Sequence, residues 1–205
     1  MNEPYNNPAE TKPELKLKKQ SIVRELLEFS LIVLLIIFPI RFFVIQPFIV
    51  VGQSMEPTFH TNEYLIVDEI SYNFTEPKRG EVIIFKYPSV EQKTQKEVPS
   101  KYFIKRVIGL PGEKILIKNG LVTIFNTENP EGFTLSEPYI KYRDDTSTEL
   151  TLKENQYYVM GDNRKESFDS RSWGPVDATS ITGRALVRIF PLTKMSLYPG
   201  DETEK

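Results

Sequence analysis

Ser54 lies in the run Gly52-Gln53-Ser54-Met55-Glu56-Pro57-Thr58, just past an apolar segment, and Lys105 opens Lys105-Arg106-Val107-Ile108-Gly109-Leu110-Pro111-Gly112-Glu113. A serine that attacks carbonyls needs a base, and the usual base is histidine. The only histidine in the chain is His60, six residues past Ser54, and nothing around it resembles an orienting environment. A lysine serves instead where its surroundings release the neutral amine. The pair points to hydrolysis by a serine with a lysine base.

Each residue also has a plainer reading. A strand over Tyr102–Ile108 places Phe103, Lys105 and Val107 on one face, so the lysine sits in apolar company. Desolvation there disfavours the ammonium, and lowering a lysine from about 10.4 by ~2 pH units corresponds to about 2.7 kcal/mol. The alternative is an edge-strand lysine that blunts aggregation. Ser54 alone reads equally as a solvated serine in a linker, although Pro57 and Thr58 suggest a fixed turn. Neither G-x-S-x-G nor S-x-x-K occurs, which excludes an α/β-hydrolase elbow and a penicillin-binding site. A third polar run, Gly161-Asp162-Asn163-Arg164-Lys165-Glu166-Ser167-Phe168-Asp169-Ser170-Arg171, follows a strand at 156–160. It is either an Asx-rich turn or a source of hydroxyls and carboxylates that orient an amine.

The elements that must hold these residues read as follows. Residues 1–24 form a polar, basic tail with Pro4, Pro8 and Pro13. An apolar segment follows, assigned here as a transmembrane anchor over 25–46. Its uninterrupted core, Phe29–Ile40, is 12 residues long. If Arg41 snorkels to the interface, residues 26–45 give roughly 20 residues, about 30 Å of helix. The basic residues before the span predict a cytoplasmic N-terminus, with the remainder on the extracytoplasmic side. A cleaved secretory signal is the rival, but no A-x-A-like site follows.

Beyond the anchor, β-branched and aromatic runs at 64–67, 81–85, 102–108, 114–117, 121–125, 156–160 and 184–190 alternate with turn residues. Asn119-Gly120 between two apolar runs marks a hairpin. The fold class is all-β: antiparallel sheets forming a catalytic core over 47–112 and 155–195. A smaller β excursion occupies 113–154, and 196–205 form a polar tail. Pro88–Ser100 reads as a surface loop.

At 205 residues and a net charge of −2, the chain has no basic footprint for nucleic acid. Zero cysteines exclude disulfides, thiolate metal sites and cysteine catalysis, and one histidine without HExxH argues against a zinc hydrolase. No metal or cofactor is expected.

The three runs together resemble the bacterial type I signal peptidases. The S-M-x-P-T box, the K-R-V-x-G-x-P-G segment and the G-D-N-x-x-x-S-x-D-S-R box stand in that family's order, across residues 20–195. The short form with one anchor is similar to Gram-positive enzymes. The resemblance implies Ser54 as nucleophile, Lys105 as general base and Ser167 as the hydroxyl that holds the lysine amine. Asp162, Asp169 and Arg171 match bracing residues. Gly52 departs from relatives that carry a serine there to help bind the oxyanion, and Glu113 replaces an aspartate. The implied activity is removal of signal peptides from exported preproteins with small residues at −1 and −3. The implied partners are those preproteins and the lipid bilayer, and no sequence feature assigns an oligomeric state. Phe48, Ile49, Val50, Val51, Met55 and Phe59 are either core or a face seated in the membrane interface. A self-cleaving Ser-Lys regulator would carry a DNA-binding region in place of the anchor. An inactive scaffold would be free to lose Ser54, Lys105 and Ser167, which this chain keeps together.

Overall fold

A computed structural model of the chain describes residues 19–37, 45–87 and 101–202. The expected basic tail (mostly), the loop at 88–100, Pro39, Arg41 and the last three residues lie outside that set. The chain divides into two compact units, Met1–Pro39 and Ile40–Lys205.

In the first unit, α1 spans Lys19–Ile32 and passes into a π-helical stretch, Val33–Ile37. No helix among the described residues is long and apolar enough to cross a membrane. The expected anchor also runs too far, since Ile45 already belongs to a strand. That strand, β1 (Ile45–Ile49), pairs with β2 (Tyr64–Asp68) and carries Pro47, which would kink or break a helix interior but is tolerated at a sheet edge.

The second unit is mostly antiparallel β, as the sequence predicts. It continues with β3 (Val82–Tyr87), β4 (Lys101–Gly109), β5 (Lys114–Lys118), β6 (Leu121–Phe125), β7 (Phe133–Thr134) and β8 (Thr148–Thr151). Then come β9 (Gln156–Met160), a one-turn helix α2 (Ser170–Trp173), β10 (Val176–Asp177), β11 (Ile181–Phe190) and β12 (Ser196–Leu197). Among the described residues the large sheet runs β1-β2-β11-β3-β4-β9-β10, with β12 on β11, and a four-stranded sheet runs β7-β6-β5-β8.

Local sequence explains the small sheet well. Ile115 and Ile117 of β5 and Val122 and Ile124 of β6 are buried, and their neighbours face outward, the two-residue period of a strand with one wet face. Asn119 and Gly120 both take positive φ, as a tight β5–β6 hairpin needs. These four residues pack with Ile108, Leu152, Tyr158 and Met160 into one core shared with β4 and β9. Each buried Ile or Val contributes roughly 1.5–3 kcal/mol, so this shared core ties the small sheet to the strand that carries Lys105. A second core joins Met55 and Phe59 to β2 and β3, anchoring the turn that holds Ser54. Met55 and Phe59 are thus core; of the apolar residues named for the interface, Ile49 and Val51 are exposed.

Strand β4 lies between β3 and β9, pairing Lys105 with Ile83 and Val107 with Val159. Lys105 is therefore interior, and the edge-strand reading of this lysine is overturned. Pairing order depends on distant strands, and the alternation within 102–108 does not encode it.

Candidate active site

Lys105 is 4% exposed and belongs to a strand whose Phe103 and Val107 join an apolar core with Ile83 and Phe85. Its Nζ is 2.7 Å from Ser54 Oγ and 2.9 Å from the Ile104 carbonyl oxygen. Burial pushes the amine down to about 8, against opposing pulls from Asp169 and Asp162 that favour the charge. A lysine so placed releases a neutral amine far more readily than one in water. His60 pairs instead with Glu56 at 3.5 Å on the surface. Among the described hydrogen bonds, Ser54 Oγ takes its bond from Lys105.

Two turns bring the serine there. The chain from Val50 folds back through Met55 and Phe59, closed by bonds from Glu56 N to Gln53 O and Phe59 N to Met55 O. Gly52 takes φ +98°, where side chains are strained, although a Cβ there would meet nothing within 4 Å. The glycine that departs from the serine of some relatives is thus matched to its backbone.

The other turn is the polar run after β9. Asp162 is buried and paired with the buried Arg106 through Nη2 at 2.6 Å and Nε at 2.8 Å, and it also accepts from Thr58 Oγ1. That links the serine turn, β4 and the polar run. Asp169 accepts from Arg171 Nε and Nη2 at 2.8 and 2.7 Å and from Gly161 N at 3.0 Å. Burial raises the Asp169 carboxyl, but the Arg171 guanidinium and the Gly161 N–H outweigh it and hold the group below its usual value. Asp169 also caps α2, accepting from Arg171 N.

Ser167 is brought to the site beside Gly161 and the Ser54 carbonyl. Its hydroxyl is buried, helps to lower the Asp169 carboxyl, and makes no bond to Lys105 among the described hydrogen bonds. The side chain packs at Gly161 beside the Ser54 carbonyl: a Cβ on Gly161 would sit 2.3 Å from Ser167 Oγ and 2.4 Å from Ser54 O.

Sequence reasoning missed four residues here. Gly161 permits the close approach just described. Asn163 donates from its backbone to Ser54 O at 3.0 Å and from Nδ2 to Gln53 O at 3.2 Å. Arg106 clamps Asp162, and Arg164 is buried against Glu137. All four lie inside the three polar and basic runs, so their place in those runs was the available signal.

A cleft of about 350 Å³ opens beside Ser54 and Lys105. Residues Phe48–Ser54 form one wall, Tyr102–Lys105 another, and Glu166 and Phe168 the rim. Phe48 and Tyr102 touch edge to face at 5.1 Å between centroids. The lining is mostly apolar and suits small side chains of an extended peptide.

Residues 23–190 match the family described as signal peptidase, peptidase S26. The chain belongs to that family. The signal peptidase I of Leptolyngbya laminosa is 38% identical over 156 residues, covering 76% of this chain and 74% of that one. Signal peptidase I P of Bacillus subtilis subsp. natto is 32% identical over 190 residues, covering 87% and 95%. A crystal structure of a signal peptidase I from Enterococcus faecalis V583 is 29% identical, with a TM-score of 0.41 over 54% of this chain and 97% of that one. Membership in the peptidase S26 family makes this chain a serine endopeptidase, and its residues 23–190 hold all three runs that carry the site.

Proposed function

We propose that this signal peptidase cuts the signal peptides from exported preproteins with Ser54 as nucleophile and Lys105 as base. The observation that carries this is the 2.7 Å contact between Ser54 Oγ and the Nζ of a buried lysine at the mouth of an apolar cleft. Neutral Lys105 takes the proton of Ser54 as the oxygen attacks the carbonyl at the cleavage point. The resulting oxyanion rests on backbone N–H groups. Its collapse breaks the C–N bond, and Lys105 hands the proton to the leaving amine. Water, deprotonated by the same lysine, then releases the signal peptide from Ser54.

The remaining assignments follow from this reading. Asp162, Asp169 and Arg171 brace the serine turn and β4, and Ser167 packs beneath the Ser54 carbonyl. Residues 113–154 are a smaller β subdomain of the catalytic region. The apolar run from residue 26 up to the start of β1 spans the cell membrane once, with the N-terminus in the cytoplasm and the catalytic region outside. That topology is supported by the basic residues before the apolar run, and it keeps Ser54 within about ten residues of the outer end of the span.

The test is cleavage of a preprotein with an Ala-x-Ala junction by purified full-length wild type, Ser54→Ala and Lys105→Ala. Cutting at the junction by wild type alone is expected. A Lys105→Ala enzyme of normal rate would remove lysine from the mechanism.

A further inference from the structure

Three consecutive carbonyls around the nucleophile are already occupied. Thr61 Oγ1 donates to Gly52 O at 3.0 Å, Asn163 Nδ2 at 3.2 Å and Glu56 N at 3.1 Å both donate to Gln53 O, and Asn163 N donates to Ser54 O at 3.0 Å. These peptides are trans, since the cis bonds of the chain are elsewhere. In a trans peptide the carbonyl and the following N–H point in opposite directions. Holding the Gln53 oxygen therefore turns the Ser54 N–H away from Asn163, and holding the Ser54 oxygen locks the next plane beside it. Among the described residues the Ser54 N–H has no hydrogen-bond partner.

Gly52 contributes no side-chain donor, and its own N–H is taken by Thr61 Oγ1 at 3.1 Å. The developing oxyanion must then depend on backbone donors whose direction is set from behind. We infer that Asn163 is the positioning residue of the oxyanion site: it alone grips the carbonyls on both sides of Ser54, sharing Gln53 O with Glu56 N, and so aims the Ser54 N–H at the oxygen that becomes charged. The inference rests on the proposed function, and it compensates physically for the absent hydroxyl at position 52.

A donor fixed in advance stabilises the transition state without reorganising, whereas a donor that must be turned loses much of that benefit. Asn163 is not among the residues lining the cleft, so its loss should leave ground-state binding alone. Asn163→Ala keeps the backbone bond to Ser54 O and removes the Nδ2 bond to Gln53 O, leaving that carbonyl to Glu56 N alone. Asn163→Asp keeps the volume but removes the same donor, which covers the case in which the alanine variant folds poorly.

The experiment measures kcat and KM on an Ala-x-Ala preprotein, together with affinity for two matched peptides. One ends in an aldehyde, which forms a tetrahedral adduct with Ser54. The other ends in the corresponding alcohol, which cannot. Expected for both variants is a fall in kcat of about tenfold to a hundredfold, by comparison with loss of an oxyanion donor. KM and alcohol affinity should stay within about twofold, and aldehyde affinity should fall in step with kcat. Equal losses of aldehyde and alcohol affinity, or no loss at all, would overturn the assignment of Asn163 while leaving Ser54 and Lys105 in place. An aldehyde that binds wild type and Ser54→Ala equally would instead remove the proposed function on which the inference stands.

Discussion

Gly161 and the Ser54 carbonyl are packed so closely that a Cβ on the glycine would lie 2.4 Å from the serine oxygen. The polar run after β9 and the nucleophile turn thus meet backbone to backbone, with the Ser167 side chain filling the other side. The serine is held from beneath by a position with no side chain, and from the cleft side by a lysine that β4 delivers.

Gly161→Ala should therefore displace the serine turn. Forcing an added carbon into a packed site costs about 1–3 kcal/mol, read as a lower denaturant midpoint. Because the Ser54 carbonyl is one of the obstacles, with the Ser167 side chain, the shift should disturb the Ser54–Lys105 contact, and kcat should fall by more than the stability loss explains. A variant that cleaves at the wild-type rate would show that the turn relaxes without cost.

Lys105 should be a source of instability as well as of chemistry. Its amine is held near 8 against an ordinary value of 10.5, a gap of roughly 3 kcal/mol. Below pH 8 the lysine is charged in both folded and unfolded chains, and the whole cost of burying the charge falls on the folded state. As pH rises from 8 to 10.5 that cost fades, since the unfolded lysine also loses its proton. Lys105→Met should then be inactive yet more stable than wild type by about 2–3 kcal/mol at pH 7, with the advantage shrinking towards pH 10. Urea unfolding at the two pH values checks this.

Asp169 should act in the opposite sense. Burial raises its carboxyl but the Arg171 pair lowers it by more, so it stabilises the fold above its unfolded value near 3.8. That contribution disappears as pH falls through the lower folded value. Asp169→Ala leaves Arg171 without this partner and should cost about 3–5 kcal/mol at neutral pH. Its acid-unfolding limb should also flatten relative to wild type. An acid limb unchanged by the substitution would mean that the pair adds nothing.

Much of this was readable in advance, for identifiable reasons. Strands β5, β6 and β9 carry their own alternation or apolar run, and Asn119-Gly120 specifies its hairpin locally. β1 was not readable, because Ile45–Ile49 continues an apolar run that looks like the end of a helix until the pairing with β2 is known. The two-residue strands β7, β10 and β12 are too short to have a period. At the site, the want of a usable histidine pointed to Ser54 and Lys105, but each kept a plainer reading until the resemblance of the three runs joined them. Asn163 was not, because a bond to a carbonyl oxygen leaves no mark on the sequence of the residue that accepts it. The buried Arg164–Glu137 pair joins positions 27 residues apart, and only the folded chain brings them together.

The most direct test of a neutral lysine base is the pH dependence of kcat/KM for an Ala-x-Ala preprotein. The active form is the one in which Lys105 has lost its proton, so the rate constant should rise about tenfold per pH unit below the midpoint. It should bend near pH 8 and level off above it, in line with the amine value of about 8. A profile flat from pH 6 to pH 10, or one still climbing past about pH 10 as an ordinary lysine would dictate, would contradict the account.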